Sequence, residues 1–128
     1  FEEFYAKNVE EWKAGFLQMQ DKVDMLILAS DGGLYKDETE NLVAFVQKGT
    51  KIPTGSSYDF MGKYAFISFA KVAEEQGYWA ATTALKILQG VSPASIPLVK
   101  NKQGKLIVNT KIAAVIGADL PFELIEIE

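Results

Sequence analysis

One stretch of the sequence constrains the fold more than any other, the nearly continuous apolar run at residues 23–29. Segments with helical spacing flank it on both sides. A run of this kind predicts a strand that is buried on both faces of a parallel sheet. Ser30-Asp31-Gly32-Gly33 follows directly and predicts the turn that ends the strand. A second strand is predicted at 51–55, and we expect the two to be parallel neighbours in one sheet.

The rest of the chain continues this alternation of helices and strands. Apolar spacing predicts helices at 5–20, 36–48, 74–89 and 110–116, and further strands at 64–70 and 105–108, with an edge strand near Leu98. Short connections between such elements are typical of an α/β fold with a mostly parallel sheet flanked by helices. Trp12 and Trp79 lie on apolar helical stripes, so both are predicted to be core residues.

Composition excludes several functional classes. The 128 residues contain no cysteine and no histidine, which rules out disulfides, zinc-thiolate sites and a Ser-His-Asp triad. The net charge of −4 and the absence of a Lys/Arg cluster predict no nucleic-acid partner. Neither the dinucleotide fingerprint nor the P-loop is present, so we expect no cofactor and no enzymatic activity.

Candidate binding residues follow the predicted strands, because ligands of open α/β sheets gather outside the carboxyl ends of the strands. Hydroxyls, backbone amides and an aromatic ring can together hold a small polar solute with an apolar body. The alternatives are an Asx turn or helix cap at Asp31 and a simple turn at Ser56. The predicted ligand-binding residues are Asp31, Gly32, Ser56, Ser57 and Tyr58.

The adjacent pair Glu74-Glu75 resembles a carboxylate pair but has a simpler interpretation. Neighbouring residues on a helix point about 100° apart, since 3.6 residues make one turn. We expect both carboxylates to stabilise the start of the helix through its dipole.

The second half of the chain resembles the ABC transporter substrate-binding family. The similarity is carried by Leu88-Gln89-Gly90, then Pro93-Ala94-Ser95-Ile96-Pro97, then Val108-Asn109 with Ala113 and Gly117, and finally Leu120-Pro121 with Leu124-Ile125. Upstream, residues 23–27 with Asp31, and 51–56, are similar to the family's strands. After Ser56 the family's small residues are replaced by Tyr58-Asp59-Phe60, so the resemblance leaves the solute open.

This resemblance implies a two-lobed type I periplasmic-binding fold that closes on a small organic solute, such as an amino acid, peptide or nucleoside, and presents it to an ABC permease. It also implies a periplasmic or extracytoplasmic location and allows a lipid anchor on an N-terminal segment. The sequence opens on Phe1 and is expected to be the C-terminal portion of a longer chain. A ligand-sensing input domain of a signalling protein, with the same fold, is the alternative function.

The resemblance further implies a division of the chain between two lobes. Residues 1–56 are expected in one lobe, 64–90 packed with the other, and 97–128 as a crossing and terminal segment. A piece without both lobes leaves part of its apolar surface uncovered, so we expect the isolated chain to self-associate or to depend on the rest of a longer chain.

Overall fold

The computed structural model describes residues 1–30, 33, 35–36 and 39–121. In this part of the chain four helices, four strands and two short 3₁₀ turns alternate. The elements are α1 (Val9–Gln20), β1 (Leu26–Ile27), α2 (Thr39–Gly49), β2 (Thr54–Ser56), a 3₁₀ turn (Asp59–Lys63), β3 (Ile67–Lys71), α3 (Ala73–Leu88), a 3₁₀ turn (Pro93–Ser95), β4 (Gly104–Val108) and α4 (Thr110–Ile116).

The strands form one sheet in the order β1-β2-β3-β4. β1 pairs with β2 in parallel, with Leu26 opposite Thr54, and β2 pairs with β3 in parallel, with Ser56 opposite Ser68. β4 is antiparallel to β3. The predicted parallel pairing of the first two strands is confirmed, as is the mostly parallel α/β sheet.

Local sequence explains where the outer helices begin and end. α1 starts four residues later than predicted because the Asn8 side chain accepts a hydrogen bond from the Glu11 amide at 2.8 Å, which caps the helix there. α4 has the predicted bounds, with Asn109 capping its start and Gly117 ending it at a φ of 66°. That left-handed conformation favours glycine.

The core is held together by aromatic side chains from distant parts of the chain. Trp12 stacks on Phe16 at 5.2 Å between ring centroids, and its other neighbour, Tyr35, meets it edge-on at 5.0 Å. Tyr35 in turn meets Tyr64 edge-on at 5.0 Å. Trp12 is partly buried and packs against the core, as its apolar helical stripe predicts. The buried cluster consists of Phe16, Leu28, Tyr35, Leu42, Val46, Met61, Tyr64, Ala65 and Ile112.

Helix α3 stands apart from this core, although it is the longest helix described. None of its sixteen residues is buried. The prediction that Trp79 is a core residue is wrong for the described chain, since 40% of its surface is exposed. Leu85 and Leu88 are exposed as well. α3 carries the apolar residues of the predicted stripe, but the described part of the chain does not bury them.

The return from α3 to the sheet also differs from expectation. No strand forms near Leu98 in the described chain, and that side chain is fully exposed. The Glu75 carboxylate accepts hydrogen bonds from the backbone amides of Lys102 at 2.7 Å and Gln103 at 3.0 Å. The start of α3 is therefore fastened to the segment that leads into β4.

A matched pair of leucine substitutions tests this division of the chain. Leu42→Ala removes a side chain with no exposed surface and is expected to lower the free energy of unfolding by about 2–5 kcal/mol. Leu88→Ala, at a side chain that is 83% exposed, is expected to change it by less than about 0.5 kcal/mol in the isolated 128-residue chain. Urea denaturation of both variants makes the comparison. Equal losses would show that α3 packs into the same core.

Candidate functional site

The carboxyl ends of three strands meet at one edge of the sheet, because β1, β2 and β3 are mutually parallel. The chain leaves this edge three times: after β1, where residues 28–30, 33 and 35–36 are described, after β2 at residues 57–66, and after β3 at the start of α3. Ligands of such sheets bind at this edge. We therefore take it as the candidate site.

Ser56 ends β2 and joins the first two strands at this edge. Its Oγ donates to the carbonyl of Leu28 at 2.8 Å and accepts from the amide of Tyr58 at 3.3 Å. The side chain is buried and its hydrogen-bonding capacity is used by the backbone on both sides. In the described chain Ser56 therefore fixes the directions of the two loops relative to each other.

Ser57 and Tyr58 follow Ser56 and face solvent. Ser57 is exposed, and 38% of the surface of Tyr58 is exposed. Tyr58 has extended backbone and precedes the 3₁₀ turn at Asp59–Lys63, which Met61 anchors with a fully buried side chain. Phe60 exposes 47% of its surface and lies beside Tyr58, with 5.2 Å between the ring centroids. Two predicted site residues and a neighbouring ring thus present accessible atoms at the same loop.

The other two predicted binding residues, Asp31 and Gly32, lie outside the described residues. Their assignment rests on the sequence alone and remains a prediction. Among the described residues, no group of three or more acidic side chains is arranged to hold a metal ion.

One contact near this edge was not predictable from the sequence. Glu75 was expected to act only on the dipole of its own helix, whereas its carboxylate bridges to amides 27 and 28 residues later. Local pattern gives no signal for a pairing across that distance. The bridge requires the three-dimensional return of the chain beside α3.

A cavity of about 270 Å³ lies elsewhere, between the second half of α3 and the segment that follows it. Its walls include Trp79, Thr83, Lys86 and Val99. The exposed side chains around it belong to α3 and to the segment that follows it, and of the described site residues none of Ser56, Ser57 and Tyr58 lines it.

A family comparison identifies the class of protein. The family model described as "ABC transporter substrate binding protein" matches residues 1–126. This chain belongs to that family. The resemblance inferred from the sequence is thereby confirmed, and it extends over almost the full length given. No curated protein matches this sequence.

Solved structures agree with the family assignment. A ligand-free, open substrate-binding protein with adhesive properties from Clostridium difficile is 25% identical, with a TM-score of 0.63 over 88% of this chain and 38% of its own. A Streptococcus pneumonia ABC domain in complex with L-Trp is 22% identical, with a TM-score of 0.66 over 96% of this chain and 41% of its own. A conserved domain protein from Vibrio cholerae is 18% identical, with a TM-score of 0.60 over 93% of this chain and 40% of its own.

The chain spans about two-fifths of the length of the structures that it matches. The two at 22% and 18% identity support the fold, which is the mixed α/β fold of periplasmic-binding-type proteins. Among the described residues, no helix is both long enough and apolar enough to cross a membrane.

Adjacent serines provide a test of how the site is built. Ser56→Ala deprives the Leu28 carbonyl and the Tyr58 amide of their shared partner and is expected to cost about 1–3 kcal/mol of unfolding free energy. Ser57→Ala, at an exposed position, is expected to change stability by less than about 0.5 kcal/mol. Thermal or urea unfolding measures both. A neutral Ser56→Ala would mean that the hydroxyl does not hold the two loops in place.

Proposed function

We propose that this chain is the C-terminal portion of the extracytoplasmic solute-binding component of an ABC importer. It binds a small organic solute at the carboxyl edge of β1–β3 and presents it to the permease, without catalysing a reaction. The observation that carries this proposal is the family match over residues 1–126, on a sheet whose carboxyl edge exposes Ser57 and Tyr58. Asp31 and Gly32 belong to the same proposed site.

The L-Trp complex of the Streptococcus structure supports a solute of amino-acid size. Its sequence identity of 22% does not carry the ligand over residue by residue. An apolar amino acid such as L-Trp offers both an apolar side chain and charged groups. The exposed rings of Tyr58 and Phe60 can pack on the apolar side chain, and the Ser57 hydroxyl and backbone amides of the loop can bond the charged groups.

The surface of α3 supports a two-lobed arrangement, in which residues 64–90 pack with a second lobe and residues 97–128 cross back. α3 leaves the sheet after β3, buries none of its side chains and is tied by Glu75 to the returning segment. The structures that this chain matches contain more than twice its length, enough for a second lobe of similar size. A solute that binds the closed arrangement better than the open one shifts the population toward closure.

Ligand binding is tested with the complete protein and amino acids, including L-Trp, in a thermal-shift assay. A solute present at 100 times its Kd is expected to add about 2.7 kcal/mol of stability. Import is tested by measuring uptake of that solute by cells that lack the protein. Loss of uptake supports the importer role, whereas unchanged uptake despite tight binding would indicate a sensing role.

The two-lobe arrangement predicts that the cost of Leu88→Ala depends on chain length. In the complete protein Leu88 is expected to be buried against the second lobe, so its truncation should cost about 2–5 kcal/mol. In the 128-residue chain the same change should be nearly neutral, because the side chain is exposed there. Denaturation of both proteins measures the difference. The same small effect in both would contradict packing of α3 on a second lobe.

A further inference from the structure

Two exposed aromatic rings form a contact pair at the end of β2. Tyr58 and Phe60 lie with their ring centroids 5.2 Å apart and their planes tilted by 38°. Both rings leave more than a third of the residue surface in water. Adjacent exposed rings at an edge where solutes bind indicate a surface that another apolar group covers.

The backbone under this ring pair is fixed before any solute arrives. The Tyr58 amide is bonded to Ser56 Oγ at 3.3 Å, and the Phe60 amide donates to the Asp59 carboxylate at 2.7 Å. The next residue, Met61, is fully buried and anchors the turn in the core. The Tyr58–Phe60 pair therefore forms a platform that loses little conformational freedom when a solute binds, and this favours affinity.

The spacing of the rings determines how a solute can use them. Because the two rings already touch each other, there is no gap for a third ring between them. A planar group must pack on the outer faces or edges of the pair, in the offset or edge-on geometries that aromatic rings prefer. The exposed Ser57 hydroxyl precedes the pair in the sequence and can bond a polar group of the same solute.

We propose that the Tyr58–Phe60 pair is the specificity-determining surface of the site and selects solutes that carry an aromatic ring together with a polar group. This inference rests on the proposed solute-binding function and narrows it to one chemical class. The platform contributes ring packing, so it discriminates against solutes whose side chains are aliphatic or charged.

Calorimetric titration of the complete protein with L-tryptophan, L-tyrosine, L-phenylalanine, L-leucine and L-glutamate tests the selection. At least one ring-bearing solute is expected to bind 10-fold or more tightly than L-leucine, because aromatic contacts add about 0.5–1.5 kcal/mol each beyond buried area, and about 1.4 kcal/mol is a factor of ten. Tyr58→Ala and Phe60→Ala should each weaken that solute by about 10-fold, whereas Tyr58→Phe, which keeps the ring, should stay within about threefold.

Met25→Ala provides the control, because Met25 is an exposed apolar side chain beside the start of β1, at the opposite end of that strand. It should leave all affinities unchanged. If an alanine variant at the ring pair does not fold, nuclear Overhauser contacts between the rings of the bound solute and of Tyr58 or Phe60 in the unaltered protein give the same answer. Absence of those contacts would contradict the proposal.

The remaining outcomes separate this inference from the function on which it rests. Preferential binding of L-leucine or L-glutamate overturns the ring selection and leaves solute binding intact. Equal weakening of every solute by Tyr58→Ala would assign the pair to lobe closure and overturn a role in specificity. If no member of the panel binds, the inference fails, and a thermal-shift screen against a metabolite pool then decides whether solute binding fails too.

Discussion

The structure depends on the chain of aromatic contacts that joins Trp12, Tyr35 and Tyr64. These rings come from α1, from the loop after β1 and from the segment that enters β3, so their packing closes the core across elements far apart in sequence. Burial of large aromatic rings is a major favourable contribution to the folding free energy of a domain. Because Tyr35 lies in one loop of the candidate site, the same contacts that stabilise the core also position that edge of the sheet.

The second part of the described chain consists of α3 and the segment that leads from it to β4. The buried cluster lies in the unit made of α1, α2, α4 and the sheet, while α3 contributes no buried residue and leaves Tyr78, Leu85 and Leu88 exposed. The Glu75 carboxylate joins the start of α3 to the segment before β4, because it accepts hydrogen bonds from the amides of Lys102 and Gln103. The start of α3 and the segment before β4 are therefore held together although they are far apart in sequence.

Most of the fold could be predicted from the sequence because its signals are local. The apolar run at 23–29 lies across β1, the run at 64–70 across most of β3, and the helix predicted at 110–116 has the observed bounds, since Asn109 and Gly117 define both ends. The first three strands are shorter than predicted, whereas β4 is one residue longer. β1 spans only Leu26–Ile27, because pairing with the three residues of β2 limits it. The edge strand near Leu98 is not formed, since that segment has no neighbour to pair with in the described chain.

The candidate site was predictable only in outline. The rule that solutes bind at the carboxyl ends of strands predicts a site at residues 56–58. The sequence does not show that the Ser56 hydroxyl is bonded to two backbone groups, whereas Ser57 and Tyr58 face solvent. Trp79 illustrates the opposite failure. Its helical stripe predicted burial, and burial depends on a partner surface that a local pattern does not contain.

Native-state hydrogen exchange of the 128-residue chain tests most directly the claim that it consists of one packed unit and one uncovered helix. Amides in the middle of α2, around Leu42 and Val46, should open only with global unfolding. Amides in the middle of α3 should exchange through local opening, at a free energy lower by at least about 2 kcal/mol. Equal protection of α2 and α3 would contradict the account, because it would mean that α3 is part of the same cooperative core.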